Sequence, residues 1–344
     1  MNLSTNITQK IRGNNWKNMG KAIAIFNQKG GVGKTTTNIN LAACLALRNK
    51  KILVLDIDPQ GNTTSGLGIA KKGLKYTSYD LFVGDELNAA NTIIHTNFKN
   101  LDIIPASVDL AGAEIELVKI SGREKRLKLA LDQVRDEYDY IFIDCPPSLG
   151  LLTLNALTAV DSVLIPIQCE FYALEGVSQL VSTVDLVRKS LNPKLRIEGV
   201  ILSMFDGRTN LSLQVVEEVK RYFGSKLYST VIPRNVRLAE APSYGLPITS
   251  YDPRSKGAKA YQAFADEFLS PSFVLYITKN ASSTNALILC WRKIFPQKIG
   301  SYCSMPLLKR PTSPPTFAAP FTVRFSTVQA VMLPSSSQPQ TPPV

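Results

Sequence analysis

Short apolar runs alternate with stretches of helical spacing between residues 19 and 269 of the chain. Each run has the length of a β-strand and is apolar almost without interruption, which is typical of strands buried on both faces of a parallel sheet. The predicted strands are Lys21–Asn27, Lys51–Ile57, Leu101–Pro105, Tyr138–Cys145, Asp161–Gln168, Ile197–Phe205 and Lys226–Ile232. Because helical segments separate these runs, we predict an α/β fold, with a doubly wound and mostly parallel sheet flanked by helices.

The composition changes at both ends of this alternating region. Residues 1–18 are polar and rich in asparagine, while residues 271–344 hold 11 of the 21 prolines and no acidic residue. Neither segment has a hydrophobic period that could build a core. We therefore predict one folded domain over residues 19–270 and a disordered extension over residues 1–18. For residues 271–344 we predict a Pro/Ser-rich tail, either disordered or foreign to the native protein.

The net charge of +12 is carried mainly by the two ends of the chain. Residues 19–270 hold 29 basic and 27 acidic residues, so the predicted domain is nearly neutral. Such a domain can bind nucleic acid only through a local basic patch. Basic residues gather in its later segments: Arg208, Lys220, Arg221, Arg234, Arg237, Arg254 and Lys256.

The cysteines give no sign of a metal site or of disulfides, and the chain shows no membrane-spanning segment. Its five cysteines show no Cys-x-x-Cys spacing, and we interpret them as reduced thiols, mostly in the core. The sequence has no apolar run of membrane-spanning length and no apolar stretch of a signal peptide near its start, which favours a cytoplasmic protein. The single histidine, His95, lies in a polar stretch and is expected at the surface.

A glycine-rich loop follows the first predicted strand and opens a segment of helical spacing at Thr35. The glycines would let backbone N–H groups turn towards phosphate oxygens, and the helix N-terminus would add partial positive charge. In such a loop Lys34 would reach the β- and γ-phosphates and Thr35 a magnesium ion. The nucleotide-binding segment is predicted to comprise Lys29, Gly30, Gly31, Val32, Gly33, Lys34, Thr35 and Thr36.

Three carboxylates end two later strands. Asp56 and Asp58 alternate at the end of the second strand, and Asp144 ends the apolar run Tyr140–Asp144. The carboxyl ends of parallel strands form the edge where open α/β sheets bind ligands. Carboxylate oxygens there suit magnesium and its waters, so we predict that these residues complete the phosphate site.

The loop departs from the common phosphate-binding pattern, because Gln28 stands where its first glycine belongs and Lys29 adds a second lysine. A lysine that opens Gly-Gly-x-Gly-Lys-Thr is the signature of the deviant Walker A ATPases. From Met19 to Leu269 the chain resembles ParA/Soj-type partitioning ATPases. The stretches Val231–Ser243 and Tyr251–Ala258 are the most specific to that family.

The resemblance implies a function and a set of roles. ATP and Mg²⁺ would be the cofactors of an ATPase that dimerises on binding ATP, binds DNA without sequence preference and acts with a ParB-like centromere-binding protein. Lys29 would reach the nucleotide of the partner subunit, Asp58 would position the attacking water, and Asp56 would support the metal and loop. The resemblance also implies that Thr35 and Asp144 bind the metal and that Arg208 and Arg237 contact DNA. Pro233 and Asn235 would contact the base, and Asp206 would do so less securely.

Two alternative functions would each require a further sequence feature. A MinD-like ATPase acting at a membrane would need a basic amphipathic helix near the C-terminus, but Pro271, Pro296 and Pro306 interrupt that region. An iron–sulfur carrier or reductase component would need paired interface cysteines at suitable spacing. The turn around Asn235 also has a simpler interpretation, in which the asparagine only caps a helix.

Overall fold

Eight strands form a single sheet in the computed structural model, which describes residues 19–84, 88–170 and 175–270. All seven predicted strands are present, each with ends that differ by at most two residues from the prediction. The strands are β1 (Lys21–Ile25), β2 (Ile52–Asp56), β3 (Ile94–His95), β4 (Leu101–Ile104), β5 (Tyr140–Asp144), β6 (Ser162–Gln168), β7 (Arg196–Phe205) and β8 (Leu227–Pro233). Their order across the sheet is β3-β4-β2-β5-β1-β6-β7-β8.

Helices lie between consecutive strands except β3 and β4, as the alternating pattern predicts, and three more helices follow β8. They are α1 (Lys34–Ala46), α2 (Asn62–Gly66), α3 (Ser78–Val83), α4 (Leu110–Leu117), α5 (Arg126–Leu131), α6 (Leu151–Ala159), α7 (Glu175–Ser190), α8 (Asn210–Phe223), α9 (Val236–Glu240), α10 (Ile248–Tyr251) and α11 (Lys256–Leu269). Neighbouring strands pair in parallel apart from β3 with β4. The predicted doubly wound α/β fold is confirmed. The strand β3 was not predicted, because two residues are too short to produce an alternation signal.

The pleat of each strand divides the core between the two faces of the sheet. In β1, Ala22 and Ala24 pack on one face, whereas Ile23 and Ile25 pack on the other. One face is covered chiefly by α4–α8, and the opposite face by α1 and α9–α11. Both faces of the sheet are therefore covered by helices and shielded from water. This explains why the strands are apolar without alternation.

The strand register brings the candidate site together at the carboxyl edge of the sheet. Asp144, the last residue of β5, is paired with Ile25 at the end of β1 and with Asp56 at the end of β2. The chain leaves β1 two residues before the predicted end, because the Asn27 side chain bonds to Pro166 O at 2.8 Å and accepts a bond from Lys29 N at 2.9 Å. The glycine loop consequently begins beside two carboxylates.

The last described helix, α11, closes the fold by packing against α1 and β8. Tyr261, Phe264 and Phe268 are buried on the sheet side, and the Tyr261 hydroxyl lies 3.1 Å from Thr37 Oγ1 on α1. The helix that carries the candidate phosphate loop is thus held between the sheet and α11.

Some predictions fall outside the described residues. These include the extension 1–18, the tail 271–344 and the burial of Cys290 and Cys303. Cys44, Cys145 and Cys169 are buried free thiols, as predicted. Within the ranges that the structure describes, no helix is both long enough and apolar enough to cross a membrane.

Candidate nucleotide site

The glycine loop has the backbone shape of an anion cradle. Gly31 and Gly33 have φ angles of 73° and 87°, in the left-handed region that side-chain-bearing residues avoid. Gly33 precedes α1, and no side chain caps the first N–H groups of that helix. These N–H groups together with the helix dipole can bind phosphate oxygens.

Lys34, the first residue of α1, lies against the loop. Its side chain is largely buried, and Nζ donates to Lys29 O at 3.1 Å. Burial lowers the pKa of Lys34, and the nearby Asp144 opposes that shift. An ammonium group held against the loop in this way can neutralise the charge of a phosphate bound there.

Asp144 is the centre of a small buried polar cluster. Its Oδ2 accepts hydrogen bonds from Thr35 Oγ1 at 2.8 Å and from Thr63 Oγ1 at 2.7 Å. Its Oδ1 is buried and has no partner among the described residues. Burial raises the pKa of Asp144. An orphaned carboxylate oxygen beside a threonine hydroxyl is a donor set that fits Mg²⁺, which prefers hard oxygen ligands and keeps several waters.

Asp56 is buried next to Asp144, but protein donors already engage both of its oxygens. Oδ2 accepts bonds from Thr64 N at 2.8 Å and Thr64 Oγ1 at 2.7 Å, while Oδ1 accepts one from Asp58 N at 3.2 Å. Burial and the neighbouring Asp144 raise the pKa of Asp56. These contacts suit the loop-supporting part of its predicted role, and contact with the metal itself stays a prediction.

Asp58 lies in the turn after β2, where its Oδ1 accepts a bond from Gln60 N at 2.9 Å. Among the described residues no donor bonds to its Oδ2. The carboxylate is near enough to Lys34 and Asp144 to influence the pKa of each. It therefore lies near the phosphate cradle, and its role in positioning the attacking water stays a prediction.

A cavity of about 340 Å³ adjoins the loop on its other side. Pro233 and Asn235 line it, together with Gly33, Thr36 and Leu238. The two residues predicted to contact the base thus share one cavity with the end of the glycine loop. Asn235 also caps α9, because its Oδ1 accepts a bond from Arg237 N at 2.8 Å. The capping interpretation is realised, and the base contact stays a prediction.

Lys29 and Lys34 occupy different environments although they share one loop. The Lys29 side chain is 38% exposed, and its Nζ lies 3.6 Å from Glu170 Oε2. Glu170 also lies 3.6 Å from Arg234. The Lys29 ammonium therefore pairs with an acid at the rim of the site.

The two arginines predicted to bind DNA lie on the surface and already have acidic partners. Arg208 bonds to both oxygens of Asp206, at 2.9 and 2.6 Å, and lowers the pKa of that carboxyl to about 2. Arg237 bonds to Glu240 at 2.9 Å and lies 3.7 Å from Asp252. Both side chains are more than half exposed, and their contact with DNA stays a prediction.

Comparison with known proteins decides the family. Residues 20–197 match the family model described as AAA domain. The sporulation initiation inhibitor protein Soj of Bacillus subtilis (strain 168) is 64% identical over 249 residues, which are 72% of this chain and 98% of Soj. The chain belongs to the ParA/Soj family of partitioning ATPases. The predicted family and ATPase activity are thereby confirmed.

Two solved structures resemble this ParA/Soj-family chain. Cobyrinic acid a,c-diamide synthase from Mycobacterium smegmatis, with bound ADP and magnesium, has a TM-score of 0.63 and 36% identity over 76% of this chain and 96% of its own. The septum site-determining protein MinD from Pyrococcus horikoshii OT3, complexed with Mg-ADP, has a TM-score of 0.63 and 27% identity. The match covers 74% of this chain and 98% of the MinD chain. The fold is therefore that of the MinD/ParA group.

Sequence reasoning missed several residues that the structure brings to the site. Thr63 and Thr64 bond to the two buried carboxylates, Glu170 pairs with Lys29, and Ser203 bonds to the glycine loop. Thr63 and Thr64 follow Asp56 by only seven and eight residues in the chain. This short separation was a weak signal that they could lie near it. Glu170 and Ser203 lie far along the chain, and only the pairing of the strands places them there.

Proposed function

We propose that this ATPase is an ATP-switched dimer that binds DNA without sequence preference and segregates DNA together with a ParB-like centromere-binding protein. The observation that carries the proposal is the contrast between the two lysines of the loop. Lys34 is buried against the phosphate cradle, whereas Lys29 is partly exposed at its rim, where a second subunit could approach. The 64% identity to Soj supports the assignment to DNA partitioning.

The residues divide the work of ATP hydrolysis among them. Backbone N–H groups of the glycine loop and Lys34 bind the phosphates, while the wall formed by Pro233 and Asn235 receives the base. Thr35 and Asp144 would hold Mg²⁺. When bound, this ion neutralises charge on the phosphate oxygens. Asp58 orients the attacking water with its available oxygen.

Charge neutralisation at the transferred phosphate would be completed by a second copy of this chain. Phosphoryl transfer depends mainly on positioning and on positive charge at the phosphate oxygens. Lys29 has an ammonium group at the rim of the site, 3.6 Å from a half-exposed glutamate, which is a weak ion pair that a phosphate can replace. Dimerisation would thereby couple nucleotide binding to catalysis.

DNA binding would use the exposed arginines on the late elements. Arg208 lies between β7 and α8, and Arg237 lies on α9, which also borders the base-side cavity. Contacts from these exposed side chains to DNA phosphates would carry no sequence information. On the cell's DNA, the ATP-bound dimer would then be associated with the nucleoid.

A MinD-like role at a membrane is the alternative within the same fold. The P. horikoshii MinD structure is 27% identical to this chain, compared with 64% for Soj. The higher identity, spread over 98% of Soj, favours partitioning.

The test compares Lys34→Ala with Lys29→Ala in sedimentation experiments with ATP and Mg²⁺. Lys34→Ala is expected to lose nucleotide binding, because it removes the buried ammonium. Lys29→Ala is expected to bind ATP but to remain monomeric. Lys99→Ala, which changes a lysine far from the loop, serves as the control and should behave as the unmodified protein. Equal loss of nucleotide binding in both loop variants, or an ATP-bound dimer of Lys29→Ala, would refute the separate roles.

A further inference from the structure

Ser203 connects the phosphate loop to the interior of the sheet. It lies near the end of β7, its side chain is buried, and its Oγ donates to Val32 O at 2.8 Å. The backbone of Ser203 is itself fixed, because its carbonyl accepts a bond from Cys169 N at 3.1 Å on the neighbouring segment. The hydroxyl is therefore a rigid donor aimed at one carbonyl of the loop.

That carbonyl determines the direction of a neighbouring N–H group. The Val32 carbonyl and the Gly33 N–H belong to one planar peptide unit, and in a trans unit the two groups point in opposite directions. When Ser203 holds the oxygen towards the sheet, the Gly33 N–H is turned the other way. Among the described residues this N–H has no acceptor, so it is available for a ligand.

The strand end that carries Ser203 also forms part of the base-side wall. Both Ser203 and the next residue, Met204, line the cavity of about 340 Å³. Met204 has a φ of 51°, an unusual left-handed conformation for methionine that indicates a constrained backbone at this point. One residue further, Phe205 O accepts a bond from Arg234 N at 3.2 Å. The end of β7 thus joins the two sides of the nucleotide site.

We propose that Ser203 is a positioning residue of this ATPase, which orients the Gly33 peptide for phosphate binding through its hydrogen bond to Val32 O. The glycine loop could adopt other backbone conformations, because glycine at Gly31 and Gly33 allows them. A side-chain donor from the sheet selects the conformation that binds phosphate. This role concerns ATP alone and holds whether or not the protein binds DNA.

The test measures nucleotide binding and steady-state hydrolysis for the full chain carrying Ser203→Ala. Loss of one hydrogen bond between neutral groups predicts about 2- to 10-fold weaker binding of ADP and of a non-hydrolysable ATP analogue. Binding of adenosine, which has no phosphate, should weaken less than binding of ADP. Ser203→Thr keeps the hydroxyl and should restore phosphate-dependent binding.

A second buried serine provides the matched control. Ser162, at the start of β6, donates to Glu198 Oε2 at 2.8 Å at the opposite edge of the sheet. Ser162→Ala should lose thermal stability as Ser203→Ala does, yet bind ADP normally. Ser203→Cys, which fills the site with a slightly larger thiol that donates weakly, should reproduce the binding defect even if the alanine variant fails to fold. Normal ADP binding by a folded Ser203→Ala or Ser203→Cys, or equal losses for ADP and adenosine, would overturn the proposal.

Discussion

Single residues in the site are distinguished by which of their polar atoms remain available. Among the residues that the structure describes, Asp144 has one oxygen without a hydrogen-bond donor, Asp56 has none, and Asp58 has one. Identical side chains at neighbouring strand ends therefore suit different tasks, namely metal binding, loop support and orientation of water. Burial alone would not separate them, because Asp56 and Asp144 are equally enclosed.

Asp58→Ala is expected to bind ATP and to dimerise, because the cradle and the proposed metal ligands remain. Its hydrolysis rate should fall by about 100-fold or more, since the attacking water loses its orienting carboxylate. Asp136→Ala, which removes an exposed aspartate from a distant turn, is the control. Measured kcat close to that of the unmodified protein would exclude Asp58 from this role.

The single histidine offers a direct test of a pKa shift. The hydrogen bond from His95 to Asp102, 2.8 Å long, raises the pKa of the exposed imidazole. An NMR titration of the folded protein should therefore give a pKa above the unfolded value of about 6.5. In Asp102→Asn the pKa should fall towards that value, and an unchanged titration would show that the pair does not form in solution.

The same shift predicts how stability depends on pH. Because the folded pKa is raised, the stabilisation by this pair is fully present below the unfolded pKa and is lost as the pH rises through the folded pKa. The stability difference between the unmodified protein and His95→Gln should shrink over that window. A difference that grows with increasing pH would contradict this sign.

At the scale of elements, the helix α11 contributes both to the core of the domain and to the support of the nucleotide site. Its aromatic residues pack on the sheet, with the Phe264 and Tyr228 rings 4.8 Å apart and the Tyr140 and Phe268 rings 5.4 Å apart. Through Tyr261 it also contacts the helix α1 behind the phosphate loop. Stability and site geometry are thus coupled through one helix.

Phe264→Ala should lower the free energy of unfolding by about 3–5 kcal/mol, because the ring is fully buried and its removal leaves a cavity. Chemical denaturation followed by circular dichroism measures this value. Leu47→Ala provides the contrast, since Leu47 is 66% exposed and its loss should cost within about 0.5 kcal/mol. Equal effects of both variants would show that α11 does not pack as described.

At the scale of the whole molecule, charge limits how DNA can be bound. Residues 19–270 are nearly neutral, with 29 basic and 27 acidic residues, so a single subunit can make few phosphate contacts. A dimer that places two subunits on one duplex doubles their number. The proposed switch would therefore act through the number of contacts that engage simultaneously.

Salt dependence of DNA binding measures that number. Each phosphate contact contributes about 0.9 to the slope of log affinity against log salt, so the ATP-bound dimer should show a slope about twice that of Lys29→Ala. Arg208→Ala or Arg237→Ala should each reduce the dimer slope by about 1.8, one contact per subunit. The protein used should span residues 19–270, because the seven basic residues beyond 270 could bind DNA themselves.

Arg188→Ala is the matched control for these variants. Arg188 is an exposed arginine on α7, where it pairs with Asp185 of the same helix. Its slope should equal that of the unmodified protein. Unchanged slopes for both Arg208→Ala and Arg237→Ala would remove these arginines from the DNA interface.

The sequence by itself determined the fold class and the phosphate loop. Strands buried on both faces are apolar throughout, and the glycines and Lys34 occur at fixed local spacing, so both features can be predicted from neighbouring residues. The ends of strands were predicted only to within one or two residues, since side-chain bonds such as that of Asn27 decide where the chain turns.

Only the tertiary structure decided which side chains meet. Strand register sets Asp144 beside Asp56, and parallel pairing across the sheet brings Ser203 to Val32, 171 residues away in the chain. Such contacts leave no local pattern, since they depend on how distant strands align rather than on the residues next to them.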